Sequence, residues 1–368
     1  MPDPVLTDAM ERLLAGEDIG RAGAQAAVGV IMDGQAEDAQ VAGFLIALRA
    51  KGETAEELAG IADAVRLRAE SVTVDPSLTL VDTCGTGGGP ATINVSTGAA
   101  FLAAGAGAHV AKHGNRAVTS SSGSADVLEA LGARVDLAPQ AIAECIEEVG
   151  VGFMFAPSHH PAFRHVGPVR KALGVRTAFN LIGPLANPAA AHRQVIGVNS
   201  LEYLKRVAGA IRGLGTERTL VVRGRDGLDE ISTMAMTDAV LIEENRMDTL
   251  VFDPAMLGIA PPSLGDLAGG GPADNARLLR SAISGTPGPV RDILVVNAAA
   301  ALWMVGIATD LQDGMARAEE AATSGAANEV LVRFIETTRR LDAFKKCLNG
   351  YLTGAQIHVG PRALNHLF

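Results

Sequence analysis

The chain has 368 residues, 48% hydrophobic, 20% charged and 4% aromatic; this length points to about two packed domains and this composition excludes a disordered chain. Its 31 Lys and Arg against 41 Asp and Glu leave a net charge of −10, the wrong sign for a protein that binds nucleic acid by neutralising phosphates. An anionic ligand must therefore be met by a local cluster of donors or by a bridging metal.

The N-terminal stretch MPDPVLTDAMERLL lacks the basic start and apolar run of a signal peptide. The residues up to 70 read as consecutive amphipathic helices with short polar breaks, Asp18 and Thr54 serving as N-caps. Thr54 stands three residues before Glu57, a capping box, and nothing in this segment looks chemical. From Leu78 the pattern changes to short apolar runs that open into glycine or polar loops: LTLVDTCG, AHVAKHG, ARVDLA, VGFMFAP, RQVIGVN, RTLVVRG and AVLIEE. Helical stretches alternate with them at residues 95–104, 125–131, 140–149 and 201–214. That alternation predicts a largely parallel sheet. The expected fold is α/β: a small all-helical N-terminal domain over residues 1–75, a larger α/β domain with a mostly parallel central sheet over 76–345, and a tail of unknown role over 346–368. Residues 162–187, rich in Arg, Pro and Gly, break the alternation and read as a linker or a return to the helical domain.

The most apolar stretch, residues 293–308, falls short of the roughly 20 residues that span a bilayer and is interrupted by Asn297. Cys84, Cys145 and Cys347 are few, odd in number and far apart, which argues against a disulfide framework or a zinc site. A cytoplasmic protein with reduced thiols and no membrane contact is expected.

Chemistry concentrates in the loops. The first is Asp82-Thr83-Cys84-Gly85-Thr86-Gly87-Gly88-Gly89-Pro90, followed by Asn94-Val95-Ser96-Thr97. Glycines let backbone N–H groups approach a phosphate, and the adjoining helix start adds free donors. Pro90 excludes a dinucleotide fingerprint and no Gly-Lys-Ser/Thr ends a P-loop; a ligand-free strand-to-helix turn stays open for this loop alone. The second, Lys112-His113-Gly114-Asn115-Arg116, ends a strand where open α/β sheets bind ligands, with residues 120–124 supplying hydroxyls ahead of the next helix. The third, Asp226-Gly227-Leu228-Asp229-Glu230, pairs carboxylates suited to Mg²⁺, an acidic surface turn being the plainer reading. The fourth runs from His159-His160-Pro161 through Arg164, Arg170, Lys171, Arg176 and Asn180 to Gly183-Pro184-Leu185-Ala186-Asn187-Pro188. Arginine there suits a bidentate grip on a carboxylate, and the histidine pair reads as packing or helix capping.

Taken in order, GTGG with NVST, KHGNRAV with SGSAD, VRKALGVRTAFNLIGPLANP and DGLDE resemble the anthranilate phosphoribosyltransferases of tryptophan biosynthesis, over residues 6–341. The resemblance implies a homodimeric, Mg²⁺-using enzyme that moves phosphoribose from phosphoribosyl pyrophosphate to the amine of anthranilate. It implies that Gly85, Thr86, Gly87, Gly88, Asn94, Ser96, Thr97, Lys112 and Ser124 hold the sugar pyrophosphate. Ser96, Asp229 and Glu230 would hold Mg²⁺, while Gly85, His113, Asn115, Arg170 and Gly183 would meet anthranilate. No general base is assigned; His113 stands between proton acceptor and positioning group. The chain departs from the family at Gly89, where Asp is common, in a loop one residue shorter, and at Ser121, where Lys is common. A pyrimidine-nucleoside phosphorylase is disfavoured by the lack of its base-binding motifs. A non-catalytic or acceptor-altered relative, including a nucleic-acid-binding paralogue, is the alternative.

Overall fold

The structure, a computed structural model, describes residues 2–117, 121–244 and 246–352. Four helices open the chain: α1 (Pro4–Leu14), α2 (Gly20–Met32), α3 (Asp38–Lys51) and α4 (Ala55–Arg66). Helix α4 begins with the expected capping box, Thr54 Oγ1 accepting from Glu57 N–H at 3.2 Å and Glu57 Oε2 from Thr54 N–H at 2.8 Å. Asp18 does not cap α2. Ile19 holds the cap position with no side-chain bond, and Asp18 instead pairs with Lys51 Nζ, which also reaches the fully buried Glu57 at 2.9 Å.

The α/β portion begins with β1 (Leu80–Asp82), α5 (Val95–Gly105), β2 (His109–Gly114), α6 (Ser124–Leu131), α7 (Pro139–Val149) and β3 (Val151–Phe155). A region of short turns follows, with α8 (Ala156–His159), α9 (Gly167–Leu173) and α10 (Phe179–Ile182). The chain then re-enters the sheet through β4 (Arg193–Gly197), α11 (Leu201–Gly213), β5 (Arg218–Gly224), β6 (Thr237–Glu243) and β7 (Arg246–Phe252). It closes with α12 (Pro272–Ile283), α13 (Pro289–Met304), α14 (Leu311–Thr323) and α15 (Ala326–Leu352). Residues 353–368 of the expected tail lie outside the described residues, as do residues 118–120.

The seven strands run in the order β3-β2-β1-β4-β5-β6-β7. The first five pair in parallel and β6 and β7 add antiparallel, so the sheet is mostly parallel as expected. Two runs were misjudged. ARVDLA is extended and buries Ala133, Val135 and Leu137 alternately, but it pairs with no strand, and the Arg134 N–H donates to Thr338 Oγ1 of α15 instead. Strand β7 was not expected, because its charged sequence RMDTLVF lies at the sheet edge with no residue buried.

Side-chain alternation sends apolar residues to both faces of the sheet, where the described residues form two large clusters and a smaller third one around Ala111, Ile142, Ile146 and Met154. Val81, Val110, Val195, Leu220 and Val222 face α5, α6 and the C-terminal helices. On the other face Ile196, Val221, Val240 and Ile242 join α11 in one cluster with the N-terminal helices. Val166, Val169, Phe179, Leu181 and Leu185 belong to that same cluster, so residues 162–187 pack with the helical domain. Among the described residues no helix is long and apolar enough to cross a membrane.

Candidate active site

The chain adds β2 and β3 on one side of β1, then returns to place β4 on the other. That reversal leaves a crevice at the carboxyl ends of β1 and β4, the place where open α/β sheets bind ligands. All the loops singled out in the sequence converge there.

Strand β1 ends at Asp82, which is wholly buried. Its carboxylate accepts from the His113 N–H at 3.2 Å and from Asn187 Nδ2 at 2.7 Å, and the same amide donates to the Ala111 carbonyl at 2.9 Å. Asp82 thus ties the first loop to β2 and to the GPLANP stretch. Burial pushes its carboxyl up to about 6, against the pull of Lys112 and these donors. Lys112, itself 2% exposed, donates to Ser96 Oγ at 3.1 Å and to the Thr83 carbonyl at 3.4 Å.

The glycine-rich loop then crosses the crevice. The Thr86 N–H donates to the Gly197 carbonyl at 2.8 Å and the Gly87 N–H to Asp229 Oδ2 at 2.7 Å. Gly87 and Gly88 take φ of +67° and +93°, a region L side chains avoid. Gly197 leaves no room for a Cβ against the Asp229 carbonyl, and at Gly89 a Cβ would meet the Gly227 carbonyl oxygen at 2.5 Å. Any side chain at that place, the aspartate expected from the resemblance included, would need a shift of the Gly227 turn.

Ser96, Asp229 and Glu230 line one cavity of about 20 Å³ with Thr83, Gly85 and Asn297, room for about one water or one cation. Glu230 Oε2 is buried there with no hydrogen-bond partner. Burial, then the charge of Asp229, holds the Glu230 carboxyl well above the ordinary range. Asp229 is also raised by burial, with the Gly87 N–H opposing. A partnerless carboxylate oxygen beside a second carboxylate is a strained arrangement that a divalent cation relieves. Among the described residues no group of three or more His, Cys, Asp or Glu is placed to hold a metal ion, so the residues do not form an all-protein cage. Two carboxylates and a hydroxyl fit Mg²⁺, which keeps waters and takes substrate phosphate oxygens.

Asn94 holds the N-cap position of α5, with Ser96 and Thr97 in its first turn. Its Nδ2 donates to the Ser122 carbonyl at 3.0 Å, and its Oδ1 accepts from Asn275 Nδ2 at 2.9 Å. Asn275 is buried on α12 and in turn accepts from the Gly270 N–H at 2.7 Å. Thr86 Oγ1 and Thr97 Oγ1 are buried without partners. Ser124 opens α6 on the far side of the same loops.

At the end of β2, His113 Nδ1 lies 2.9 Å from the Gly183 carbonyl. A carbonyl only accepts, so the ring proton sits on Nδ1 and buried, partnerless Nε2 carries a lone pair. Burial lowers the imidazole to about 4, leaving it neutral and a weak base. An edge-to-face run continues from His113 to His160 (5.1 Å), Phe163 (5.5 Å) and Phe179 (5.7 Å). Arg170 of α9 stands over Phe179 at 5.8 Å, its guanidinium pKa lowered by burial and then by Arg176. His159 meets the Glu70 carbonyl at 2.8 Å, so the histidine pair is packing, as expected. Asn115 is exposed and accepts from the Arg116 N–H at 2.7 Å. Arg116 itself is taken by Glu129 (2.6 Å) and Asp126 (3.1 Å), so the second loop offers one free cation fewer than its sequence promised.

Sequence reasoning passed over Asn275 and Asn297 as site-builders, and placed Asp82 in the first loop without giving it a role. Asn297 of α13 accepts from the Ile231 N–H at 2.9 Å and donates to the Ile231 and Ile293 carbonyls at 3.0 and 2.9 Å, fixing the residue after Glu230. Its one signal was a polar side chain inside the most apolar run of the chain.

Family models for a "Glycosyl transferase family, helical bundle domain" and a "Glycosyl transferase family, a/b domain" match residues 7–69 and 77–328. The anthranilate phosphoribosyltransferase of Anaeromyxobacter dehalogenans is 49% identical over 91% of this chain and 99% of its own length. That of Rubrobacter xylanophilus is 47% identical over 92% and 98%. Among solved structures, the Thermus thermophilus enzyme is 41% identical with a TM-score of 0.85, covering 90% of this chain and 99% of its own. The Saccharomyces cerevisiae enzyme in complex with PRPP and Mg is 30% identical with a TM-score of 0.84, covering 91% and 98%. Motifs, sheet order and relatives agree: the chain belongs to the anthranilate phosphoribosyltransferase family.

Proposed function

We propose that this chain transfers the phosphoribosyl group of 5-phosphoribosyl 1-pyrophosphate to the amine of anthranilate, giving N-(5-phosphoribosyl)anthranilate and pyrophosphate. The observation that carries this reading is the shared cavity of Ser96, Asp229 and Glu230 beneath the glycine-rich loop, where Glu230 Oε2 lacks any partner. Ser96, Asp229 and Glu230 would hold Mg²⁺, which when bound stabilises negative charge on the departing pyrophosphate. A yeast relative solved with PRPP and Mg supports that assignment. The Gly85–Gly88 backbone, Asn94, Thr97, Lys112 and Ser124 bind and orient the sugar pyrophosphate, their donors preorganised for the charge that grows as the glycosidic bond breaks. Arg170 takes the anthranilate carboxylate, and His113, Asn115, Gly85 and Gly183 flank the ring; a second yeast structure, with 4-fluoroanthranilate, supports an aromatic acceptor there.

Neutral His113 is a poor base, so its role is to position the acceptor through Nε2. The arylamine is already a neutral nucleophile, and orientation supplies the rest. The enzyme is further proposed to act as a cytoplasmic homodimer. Exposed Val5, Leu14 and Ile46 on the N-terminal helices support self-association, and light scattering tests it by mass.

The test is the decay of anthranilate fluorescence with purified protein, phosphoribosyl pyrophosphate and Mg²⁺. Wild-type decay should require metal, and Asp229→Ala with Glu230→Ala should abolish it. Arg170→Ala should raise the anthranilate KM by about 10–100-fold, the worth of a charge-assisted hydrogen bond. A folded wild-type protein that leaves anthranilate untouched at every Mg²⁺ concentration sinks the reading.

A further inference from the structure

Arg176 is a cation that the scheme above does not use. It follows the C-terminus of α9 and lies across the glycine-rich loop: a side chain at Gly88 would collide with its Nη1 and would come within 2.8 Å of Asn199 Nδ2. Asn199, two residues past β4, donates through that nitrogen to the Gly88 carbonyl at 2.8 Å. The two side chains therefore close over the same point of the loop from opposite segments of the chain. Arg176 is then anchored from a third, for Arg49 of α3 donates to its backbone carbonyl.

The guanidinium is not satisfied where it stands. Nε and Nη2 of Arg176 and Oδ1 of Asn199 are buried with no hydrogen-bond partner, and Arg176 forms no ion pair among the described residues. Other arginines that reach across the fold are matched: Arg21 with Asp63 at 2.6 Å, Arg68 with Asp33 at 2.6 Å, Arg206 with Glu53 at 2.9 Å. Asp229 does not complete Arg176: no ion pair joins the two among the described residues, and Asp229 Oδ2 is engaged by the Gly87 N–H. Desolvating a guanidinium with two nitrogens unbonded is costly unless an anion completes it.

The surroundings select which anion. Arg170 stands on the ring run from Phe179 to His113, the side assigned to the aromatic carboxylate. Arg176 touches Gly88 and Asn199, on the side where the loop's N–H groups, Lys112 and the metal-binding acids gather. We infer that Arg176 is a diphosphate-binding residue, forming with Asn199 an outer jaw over the glycine-rich loop that grips the pyrophosphate of the sugar substrate. Two arginines six positions apart thus sort the two substrates, a carboxylate to Arg170 and a diphosphate to Arg176. The inference rests on the proposed reaction for the identity of the sugar substrate, and its test separates the two.

The experiment compares wild type, Arg176→Ala, Arg176→Lys and Arg170→Ala by steady-state kinetics in both substrates and by calorimetric titration of inorganic pyrophosphate with Mg²⁺. Arg176→Ala should raise the KM for phosphoribosyl pyrophosphate and weaken pyrophosphate binding by about 10–100-fold, with the anthranilate KM within about twofold. Arg170→Ala should show the opposite split. Arg176→Lys should recover part of the loss, since it keeps the charge without the planar fork, and added guanidinium should partly restore Arg176→Ala. A purely structural jaw would lower kcat or stability without that KM split or rescue. Unchanged pyrophosphate affinity in a folded Arg176→Ala overturns the inference, as does a rise confined to the anthranilate KM. If Arg176→Ala fails to fold, Arg176→Lys carries the same comparison, and pyrophosphate affinity equal to wild type there overturns it. Loss of pyrophosphate binding in a protein that never consumes anthranilate would sink the proposed acceptor reaction and leave this assignment standing.

Discussion

The pair Asp229–Glu230 shows most directly how a residue's chemistry was readable while its setting was not. Adjacent carboxylates after a strand point to a cation from sequence alone, but only the fold reveals that Glu230 Oε2 is sealed without a partner. The consequence is a stability that depends on pH. Burial raises the Glu230 carboxyl above its ordinary 4.5, so the folded state keeps a proton that the unfolded chain has released. Stability is then complete below about 4.5 and falls as pH rises through the raised folded value. Glu230→Gln removes the ionisable group at nearly constant shape. At pH 8 without metal it should melt about 2–4 °C above wild type, as ~1 kcal/mol shifts a chain of several hundred residues; at pH 4 the gain should vanish. Adding Mg²⁺ at pH 8 should raise the wild-type midpoint and leave the variant unmoved, a ligand-linkage effect. A scan in which Glu230→Gln melts lower at pH 8 would show that the carboxylate is stabilised by something other than a cation. Arg176 and Asp82 mark the limit of legibility at this scale. Asp82 meets Asn187 across 105 positions, and Arg176 faces the loop at Gly88 from another segment. No local pattern encodes either meeting.

At the scale of elements, the parallel strands and the helices between them were legible because each carries its own apolar period and opens into punctuation by glycine or a cap. Two readings failed for opposite reasons. ARVDLA alternates like a strand because Ala133, Val135 and Leu137 are each buried, yet it joins no ladder and the Arg134 N–H donates to Thr338 Oγ1 of α15. Strand β7 hides because an edge strand needs no apolar run; its pairing with β6 is set by backbone ladders from Thr237↔Phe252 to Glu243↔Arg246. Helix α13 adds a device of its own. It is buried along most of its length, and Asn297 uses two hydrogen bonds to pin Ile231, just past Glu230, and a third to the Ile293 carbonyl of its own helix. Asn297→Ala leaves the Ile231 N–H and carbonyl buried and unmatched, at a cost of about 2–4 kcal/mol for two such groups. The variant should lose that much stability in urea. It should also need more Mg²⁺ for half-maximal turnover than wild type, because Glu230, proposed to hold the metal, loses the support of its neighbour Ile231. Equal stability would show that water takes over the amide's bonds; an unchanged Mg²⁺ requirement would detach Asn297 from the site.

For the whole molecule, the division into a helical and an α/β part is real in sequence order and incomplete in packing. The capped N-terminal helices looked self-contained, and a small bundle is the natural reading of four amphipathic segments in a row. Yet their core residues, among them Leu6, Val28, Phe44, Leu48 and Ile61, form one cluster with Val166, Phe179 and Leu185 of the returning segment and with Ile196, Val221 and Ile242 of the sheet. Close to half of that cluster comes from beyond residue 165. Ion pairs and backbone bonds repeat the pattern: Arg206 of α11 with Glu53, Arg21 with the Gly213 carbonyl, Arg66 with the Leu185 carbonyl. A domain of about 60 residues is already marginal when its core is whole, and here the core is shared. A chain ending at residue 75 should therefore show weak helical signal and a broad, non-cooperative melt, while the full chain should unfold in one transition followed alike by circular dichroism and tryptophan fluorescence. The single Trp303 lies in α13, far in sequence from the helical domain, so coincidence of the two probes would report on both parts at once. A sharp melt of the short chain, or an early helical transition that Trp303 does not sense, would instead make the N-terminal bundle an independent unit. The shared core would then be a docking contact, and the grip of Arg49 on the Arg176 segment could open without unfolding either part.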